Sequence, residues 1–392
     1  MQYYLDNNAT TPMCEEAINA MDEVHRTAYG NASSVHLMGA EARKLLEAAR
    51  ESLAGMIGCE PGELYFTSGG TEANNWALRG ILENRPELGI IHSAVEHKSI
   101  LKTCNAMTFQ RSDRIAVDED GIVDIDNLET VLRRRCCDYL VSVMLANNET
   151  GVIQPIPDVV SLLRETRPDS LIHVDAVQAF GKIPVNVKDL DVDLMTISAH
   201  KLGGPAGIGA LYVRKGVEIA PMIVGGHQEG DLRAGTENVA AAVGFQVAAL
   251  QRDERRRKSG EYIKAVCTHV ANLRYMLAAE LDNIWINGGG CYRLPNTVNI
   301  GFEGVDSDAL VLMLSAHGVF VSNGSACEAG SDEGSHVLRA MGQDDEKSRS
   351  AIRFSFSDDL PEGAIQEIAN YVISTVKLLR DMNKIDIPDS IA

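Results

Sequence analysis

The stretch LMTISAHKLGGP, residues 194–205, decides the fold. Its first residues, Leu194–Ser198, are mostly apolar and predict a buried strand. His200 and Lys201 follow almost at once, and a pair of glycines then marks a turn. Because Lys is strongly hydrated and seldom buried, Lys201 is either an ordinary surface residue or a desolvated amine able to form a Schiff base.

The strand predicted just before this one ends in a carboxylate. The segment LIHVDAVQ, residues 171–178, is apolar up to Asp175, and Gln178 follows three residues later. In an open α/β sheet, the carboxyl ends of strands border the crevice where ligands bind. Asp175 can therefore keep a ring nitrogen protonated, and Gln178 can hydrogen-bond a ring oxygen. The alternative is that Asp175 only caps the following helix.

A third segment, TSGGTE at residues 67–72, lies where another predicted strand passes into a helix. The N-terminus of a helix presents unpaired N–H groups to anions, so Gly70 and Thr71 are candidates for binding a phosphate. Two glycines before a capping Thr also occur in ordinary turns.

The three segments together match one kind of ligand. They supply a phosphate turn, a carboxylate with an amide, and a strand end that carries Ser, His and Lys. Pyridoxal phosphate (PLP) requires partners for its phosphate and its ring nitrogen, and a Lys for its aldehyde. The ordered set therefore predicts a PLP enzyme in which Lys201 holds the cofactor.

The rest of the sequence predicts an α/β fold. Amphipathic stretches at 39–56 and 155–167 predict helices, and 238–281 is almost wholly helical with a break near Ser259-Gly260. In the first two-thirds of the chain, strands are predicted at 63–67, 90–93, 139–146, 171–175, 194–198 and 209–213. Their alternation with helices is typical of βα units and a mostly parallel sheet.

New strands in the last third, at 297–301, 319–321 and 351–356, predict a second, smaller α+β domain. We expect this domain to recruit the N-terminal strand as well. The predicted division is a large cofactor-binding domain at 15–259, and a small domain formed by 1–14 and 260–392.

Composition excludes several classes of function. The 392 residues are 45% hydrophobic and carry a formal net charge of −19, from 36 Lys plus Arg against 55 Asp plus Glu. Nucleic acids and anionic membrane surfaces would be repelled on average. The sequence contains neither a signal-like start nor a long apolar run, so we expect a cytoplasmic protein. The 8 cysteines lack the paired spacing of structural zinc sites, and no metal site is predicted.

Over essentially its whole length, the chain resembles the NifS/IscS-type cysteine desulfurases, which are fold-type I PLP enzymes of aminotransferase class V. The matching segments are YLDNNATTP (4–12), GNASSVH (30–36), SGGTEANN (68–75), NNETG (147–151), RAGTEN (233–238) and SAC (325–327). The resemblance implies a large domain with a mostly parallel seven-stranded sheet flanked by helices, plus a smaller α+β domain.

The resemblance also implies which residues hold the cofactor ring and move protons. Lys201 would form the Schiff base and later shuttle the α-proton. Asp175 would pair with the ring nitrogen, and Gln178 with the ring oxygen. His97 would stack on the ring and act as an acid or a base.

Further roles implied by the resemblance concern the phosphate and the substrate. Asn148 would lie over the cofactor, and Arg353 would bind the carboxylate of L-cysteine, a bidentate task that suits a guanidinium. Thr236 would reach the phosphate from the partner subunit, which implies a homodimer with shared sites. The phosphate ligands within one chain would be Gly70, Thr71, Ser198 and His200.

Cys327 lies in a polar, glycine-bearing segment, residues 322–331, rather than in an apolar one. By itself a Cys is usually a small buried hydrophobe. The resemblance makes Cys327 the nucleophile that attacks the substrate sulfur, releases alanine and keeps a persulfide for a sulfur-acceptor protein, of which an iron–sulfur scaffold is one candidate. The sequence departs from the family at Glu328-Ala329, where Thr-Ser is common, and at Gly334, where Pro is common. An acid beside the thiol is expected to slow persulfide formation.

Two alternatives remain open at the level of sequence. One is a selenocysteine lyase or another class V PLP enzyme, since the residues do not separate sulfur from selenium. The other is an inactive sulfur-transfer scaffold, which the presence of Lys201, Asp175, His97 and Arg353 disfavours.

Overall fold

A computed structural model describes residues 1–107, 112–324 and 334–383 of the chain. Its strands are β1 (Tyr3–Tyr4), β2 (Leu64–Thr67), β3 (Gly89–Ser93), β4 (Ser112–Ile115), β5 (Tyr139–Ser142), β6 (Leu171–Asp175), β7 (Leu194–Ser198), β8 (Gly209–Val213), β9 (Ile284–Asn287), β10 (Thr297–Phe302), β11 (Val319–Phe320) and β12 (Ala351–Ser355). Its helices are α1 (Glu15–Thr27), α2 (Leu37–Ile57), α3 (Gly70–Asn84), α4 (Lys98–Ala106), α5 (Ile125–Arg133), α6 (Ile156–Thr166), α7 (Val187–Leu190), α8 (Val239–Glu254), α9 (Glu261–Glu280), α10 (Ser307–Ala316), α11 (His336–Ala340), α12 (Asp345–Ser348) and α13 (Ala364–Asn383). None of these helices combines the length and the apolar character that crossing a membrane requires.

The largest sheet has 7 strands in the order β2-β8-β7-β6-β5-β3-β4. Strand β8 is antiparallel to both of its neighbours, and the remaining neighbours run parallel. Strands β3, β5, β7 and β8 are buried along their whole length, as expected for a sheet covered by helices on both faces. The predicted mostly parallel, seven-stranded sheet is confirmed.

Successive residues of the central strands serve two separate cores. Ile91 and Val141 belong to the apolar cluster that includes buried residues of α1, α2, α5, α6 and α8. The preceding residues, Ile90 and Leu140, point to the opposite face and belong to the cluster formed with α3 and α4. The period of two along a strand therefore places helices on both faces of the sheet.

The last third of the chain builds two small sheets. Strands β9 and β12 flank β10 in an antiparallel sheet, and β1 pairs in parallel with β11. The N-terminal strand is thus recruited by the C-terminal part of the chain, as predicted. A separate apolar cluster lies among β10, β12, α9, α10 and α13. The division into domains at 15–259 and at 1–14 with 260–392 stays a prediction.

The strand predicted at 139–146 is shorter than expected. It ends at Ser142 because the backbone N–H of Met144 donates to the buried carboxyl of Glu96, at 2.6 Å, instead of continuing the ladder with β3. Strands β4 and β9 were missed. The sequence of β4, SDRI, is polar and partly exposed at the sheet edge, so the apolar pattern of a strand is absent there.

His173, in the middle of β6, gives stability a pH dependence. Its ring is fully buried between two hydroxyls, with Nδ1 3.0 Å from Ser142 Oγ and Nε2 3.0 Å from Thr196 Oγ1. Burial lowers the pKa of His173 from 6.5 to about 4. Between these values the unfolded chain binds a proton that the folded chain does not, so stability falls as the pH falls.

We expect the wild type to lose up to roughly 3 kcal/mol more unfolding free energy than His173→Gln between pH 6.5 and pH 4. Urea unfolding across this range, with PLP at a fixed concentration, measures the difference. His25→Gln, at an exposed position, is the matched control and should keep the wild-type slope. Equal slopes for the wild type and His173→Gln would contradict the prediction.

Candidate active site

A cavity of about 240 Å³ lies where β6 and β7 end and α3 begins. This is the sheet edge at which ligands bind in open α/β folds. The predicted site residues that line it are Gly70, Thr71, His97, Asn148, Asp175, Gln178, Ser198, His200, Lys201 and Arg353. The structure therefore gathers at one place residues that are far apart in the sequence.

One end of the cavity is suited to a phosphate. The hydroxyl of Ser198 is buried and has no hydrogen-bond partner among the described residues. The first turn of α3 begins beside it, and a Cβ on Gly70 would lie 2.8 Å from Val177 Cγ2, so only glycine lets the backbone approach this closely. Together, the unpartnered hydroxyl and the helix N-terminus fit the phosphate of PLP.

Asp175 is held by two donors. Its Oδ1 accepts from the backbone N–H of Val177 at 2.9 Å, and its Oδ2 accepts from Asn74 Nδ2 at 2.7 Å. Burial, and then the charge of Asp175, raise the pKa of the nearby Glu96 well above its ordinary value. Burial therefore disfavours the charged form of Glu96, whereas Asp175 accepts two hydrogen bonds that stabilise a carboxylate, which suits a partner for a protonated ring nitrogen.

The orientation of the Gln178 amide is fixed by a buried Lys. Lys182 Nζ donates to Gln178 Oε1 at 2.7 Å and to Asn8 Oδ1 at 2.8 Å. Gln178 Nε2 donates to the carbonyl of Asn8 at 2.8 Å, and one amide hydrogen remains for the cavity. Burial lowers the pKa of Lys182 well below its ordinary value.

Asn8 and Lys182 were not among the residues predicted from the sequence to form the site. Lys182 lies four residues after Gln178, a spacing that can bring two side chains together within one helical turn. Asn8 lies in the YLDNNATTP segment, but its position beside the strand ends requires the chain to pass from β1 to the edge of the large sheet. No local pattern in the sequence predicts that path.

Lys201 reaches back to the N-terminal segment. Its Nζ donates to the carbonyl of Asn8 at 2.8 Å and to that of Ala9 at 2.6 Å. His200 lies beside the same segment, with Nδ1 3.2 Å from Thr10 Oγ1, and burial lowers its pKa to about 4. The His200 ring is therefore neutral at pH 7.

Arg353 is almost wholly buried, with 1% of its surface exposed. Its Nη2 lies 2.5 Å from Asp6 Oδ1, its Nη1 donates to the carbonyl of Asn148 at 3.0 Å, and its Nε has no partner among the described residues. The guanidinium is therefore shared with Asp6. Its role in binding a substrate carboxylate stays a prediction.

Two predicted residues do not line this cavity. Thr236 is exposed and borders a separate pocket beside Arg233, so its role at a phosphate stays a prediction. Cys327 lies outside the described residues. At Gly334, which follows that stretch, a Cβ would lie 2.2 Å from Ser348 Oγ, so a larger residue there would require the Ser348 side chain to move.

Comparison with known proteins assigns the family. The sequence profile of the family described as aminotransferase class-V matches residues 3–367. The chain belongs to that family. A cysteine desulfurase from Gluconacetobacter diazotrophicus is 40% identical over 385 residues, which cover 97% of this chain and 94% of the relative. Within the family, the chain is therefore one of the PLP-dependent cysteine desulfurases, as the sequence predicted.

Solved structures agree with this assignment. A NifS-like protein matches with a TM-score of 0.89 and 36% identity, covering 96% of this chain and 100% of that protein. SspA in complex with cysteine matches with a TM-score of 0.76 and 30% identity, covering 91% of this chain and 99% of that protein. The fold-type I architecture is thus confirmed, together with dependence on PLP.

If Ser198 binds the phosphate, Ser198→Ala should weaken PLP binding by roughly 10-fold or more, because a hydrogen bond to a charged group contributes about 1.5–3 kcal/mol. Equilibrium dialysis of PLP measures the change. Ser142→Ala on β5 is the matched control, since that buried hydroxyl contacts His173 and not the cavity. An unchanged affinity in Ser198→Ala would exclude this role.

Proposed function

We propose that this desulfurase converts L-cysteine to L-alanine and keeps the sulfur as a persulfide on Cys327. The observation that carries the proposal is the meeting of Lys201, Asp175 and the unpartnered Ser198 hydroxyl in one cavity. The similarity to SspA, whose structure contains cysteine, supports the choice of amino acid.

PLP, when bound, supplies an electron sink for the α-carbon of an amino acid. Asp175 would keep the ring nitrogen protonated, and the free amide hydrogen of Gln178 would meet the ring oxygen. Lys201 would hold the cofactor and then carry the α-proton; its Nζ lies at this edge of the cavity, where it donates to the backbone carbonyls of Asn8 and Ala9. Arg353 would bind the substrate carboxylate, and Asn148 would lie over the ring.

The sulfur transfer balances without an external oxidant. The thiolate of Cys327 attacks the substrate sulfur, an S–S bond forms and the C–S bond breaks. The carbon keeps the electron pair and takes up a proton, which gives alanine. L-cysteine and an enzyme thiol thus become L-alanine and an enzyme persulfide.

The alternatives are less well supported. The similar proteins are named for cysteine, which favours a desulfurase over a selenocysteine lyase. An inactive scaffold would not require Asp175 and Gln178 as partners for a cofactor ring, or the buried Lys182 that orients the Gln178 amide. We further propose a sulfur-acceptor protein as partner, with iron–sulfur cluster assembly as one destination, and a cytoplasmic location.

We also propose a homodimer. Two adjacent surface segments, 29–38 and 223–238, carry exposed apolar side chains, among them Val35 at 99%, Leu37 at 90% and Val224 at 87% exposure. The segments lie side by side, because Gln228 Nε2 donates to Ser33 Oγ at 3.4 Å. A second copy covering this surface would remove the apolar side chains from water and bring Thr236 to its cavity.

Activity is tested by the release of alanine and sulfide from L-cysteine in the presence of a reducing thiol. We expect the intact protein to release both, and Cys327→Ala to release neither while it still binds PLP and remains yellow. Cys136→Ala, which changes an exposed Cys, is the control and should keep full activity. A protein that binds PLP but releases no alanine would overturn the proposal.

The shared site is tested by complementation. Lys201→Ala and Thr236→Ala subunits, each defective alone, are unfolded and refolded together with PLP. A mixed dimer has one cavity with both native residues, and random pairing makes half of the dimers mixed, so we expect about one quarter of the wild-type Lys201-linked PLP absorbance to return. Equal mixtures that show no gain over the separate variants would argue against a contribution of Thr236 across subunits.

A further inference from the structure

A continuous line of hydrogen bonds joins Asp175 to His97 through α3 and α4. Asn74 Nδ2, on α3, lies 2.7 Å from Asp175 Oδ2 and 2.8 Å from Ser99 Oγ. Ser99 Oγ, on α4, lies 2.7 Å from His97 Nδ1, and the backbone N–H of Ser99 donates to the same nitrogen at 3.1 Å. Asn74 and Ser99 are both buried.

The direction of each hydrogen bond follows from the groups at the two ends. An ionised Asp175 only accepts, so the NH₂ group of Asn74 must face it. Its two hydrogens then go to Asp175 and to Ser99 Oγ. Because Ser99 Oγ accepts from Asn74, its own proton is available for His97 Nδ1, which also accepts from the Ser99 backbone.

We infer that Asn74 and Ser99 are positioning residues that hold His97 in one tautomer, with Nδ1 unprotonated and the ring proton on Nε2. Nε2 makes no hydrogen bond to a described residue, and His97 lines the cavity. A molecule bound in the cavity therefore meets a ring N–H. If the proposed desulfurase function holds, a neutral His97 with its proton on Nε2 donates a proton to the substrate. It is then not the base that removes the first proton from the substrate.

An unpartnered atom supports this reading. Asn74 Oδ1 is buried and has no hydrogen-bond partner among the described residues. Leaving a buried acceptor unpaired is unfavourable, and the amide could not turn to satisfy it without directing an oxygen at Asp175. The carboxylate therefore fixes the amide, and the amide in turn fixes the hydroxyl of Ser99.

The charges around His97 agree with a neutral ring. Burial lowers its pKa, Asp175 on β6 acts in the opposite direction, and Lys201, His336 and Lys98 lower it further. Two donors at Nδ1 also favour the unprotonated nitrogen. The two donors at Nδ1 set the tautomer, and removing the hydroxyl of Ser99 removes one of them while the backbone N–H of Ser99 stays.

The test uses the PLP-loaded protein labelled with ¹⁵N-histidine, with the His97 signals assigned by comparison with His97→Gln. At neutral pH we expect Nδ1 to show the chemical shift of an unprotonated ring nitrogen, and Nε2 that of an N–H. In Ser99→Ala the pKa of His97 should rise by roughly half to one unit, because one donor that favours the neutral ring is lost. A proton found on Nδ1 in the wild type, or an unchanged pKa in Ser99→Ala, would overturn the inference.

Thr103→Val is the matched control. Thr103 Oγ1 donates to Asn75 Oδ1 at 2.8 Å, which is a second, partly buried side-chain hydrogen bond between α4 and α3 without a link to His97. We expect this variant to leave the His97 tautomer and pKa unchanged. An equal shift in Thr103→Val would mean that the pKa responds to helix packing, and the line of hydrogen bonds would lose its role.

A double-mutant cycle tests the order of the line. Asn74→Ala should raise the pKa of His97 in the wild-type background and have no further effect in Ser99→Ala, because the same hydroxyl transmits both changes. If the two substitutions shifted the pKa of His97 additively, Asn74 and Ser99 would not act through one line of hydrogen bonds. The NMR readout does not require turnover, so failure of the tautomer assignment is distinguishable from failure of the desulfurase reaction, which the release of alanine reports.

Discussion

The side chain and backbone of Asn8 hold the active site together. Its carbonyl accepts from Gln178 and Lys201, and its Oδ1 accepts from Lys182, so the ends of the large sheet are joined to it. Its Nδ2 donates to Thr297 Oγ1 at 2.9 Å, and its backbone N–H donates to Ser355 Oγ at 3.0 Å, both on the small antiparallel sheet. One buried residue thus fixes the position of one sheet relative to the other.

This arrangement constrains the chemistry. A buried amine such as that of Lys182 is unfavourable unless acceptors surround it, and Asn8 and Gln178 provide two of them. Removing any member would leave another polar group unpaired in the interior, so the members are expected to fail together rather than one at a time. The Gln178 amide is consequently oriented before any ligand arrives, which lowers the ordering cost of binding.

Much of the site could be read from the sequence because its residues follow strands. Asp175 and Lys201 lie at or just beyond the ends of apolar runs, and parallel strands bring such ends to one edge. Asn74 and Ser99 could not be read in this way. They lie inside helical segments, where polar residues usually face solvent, and their burial depends on how α3 packs against α4. Strand β4 could not be predicted either, because it lies at the sheet edge and its residues are too polar to show the apolar pattern of a strand.

Arg353 pairs through its backbone with Ser322 in an antiparallel bridge. The Arg353 N–H donates to the Ser322 carbonyl at 2.6 Å, and the Ser322 N–H returns a longer bond of 3.4 Å. The chain that leads toward Cys327 therefore departs from the residue predicted to bind the substrate carboxylate. Because main-chain atoms make this bridge, the anchor of the segment after Ser322 does not depend on which side chains that segment carries.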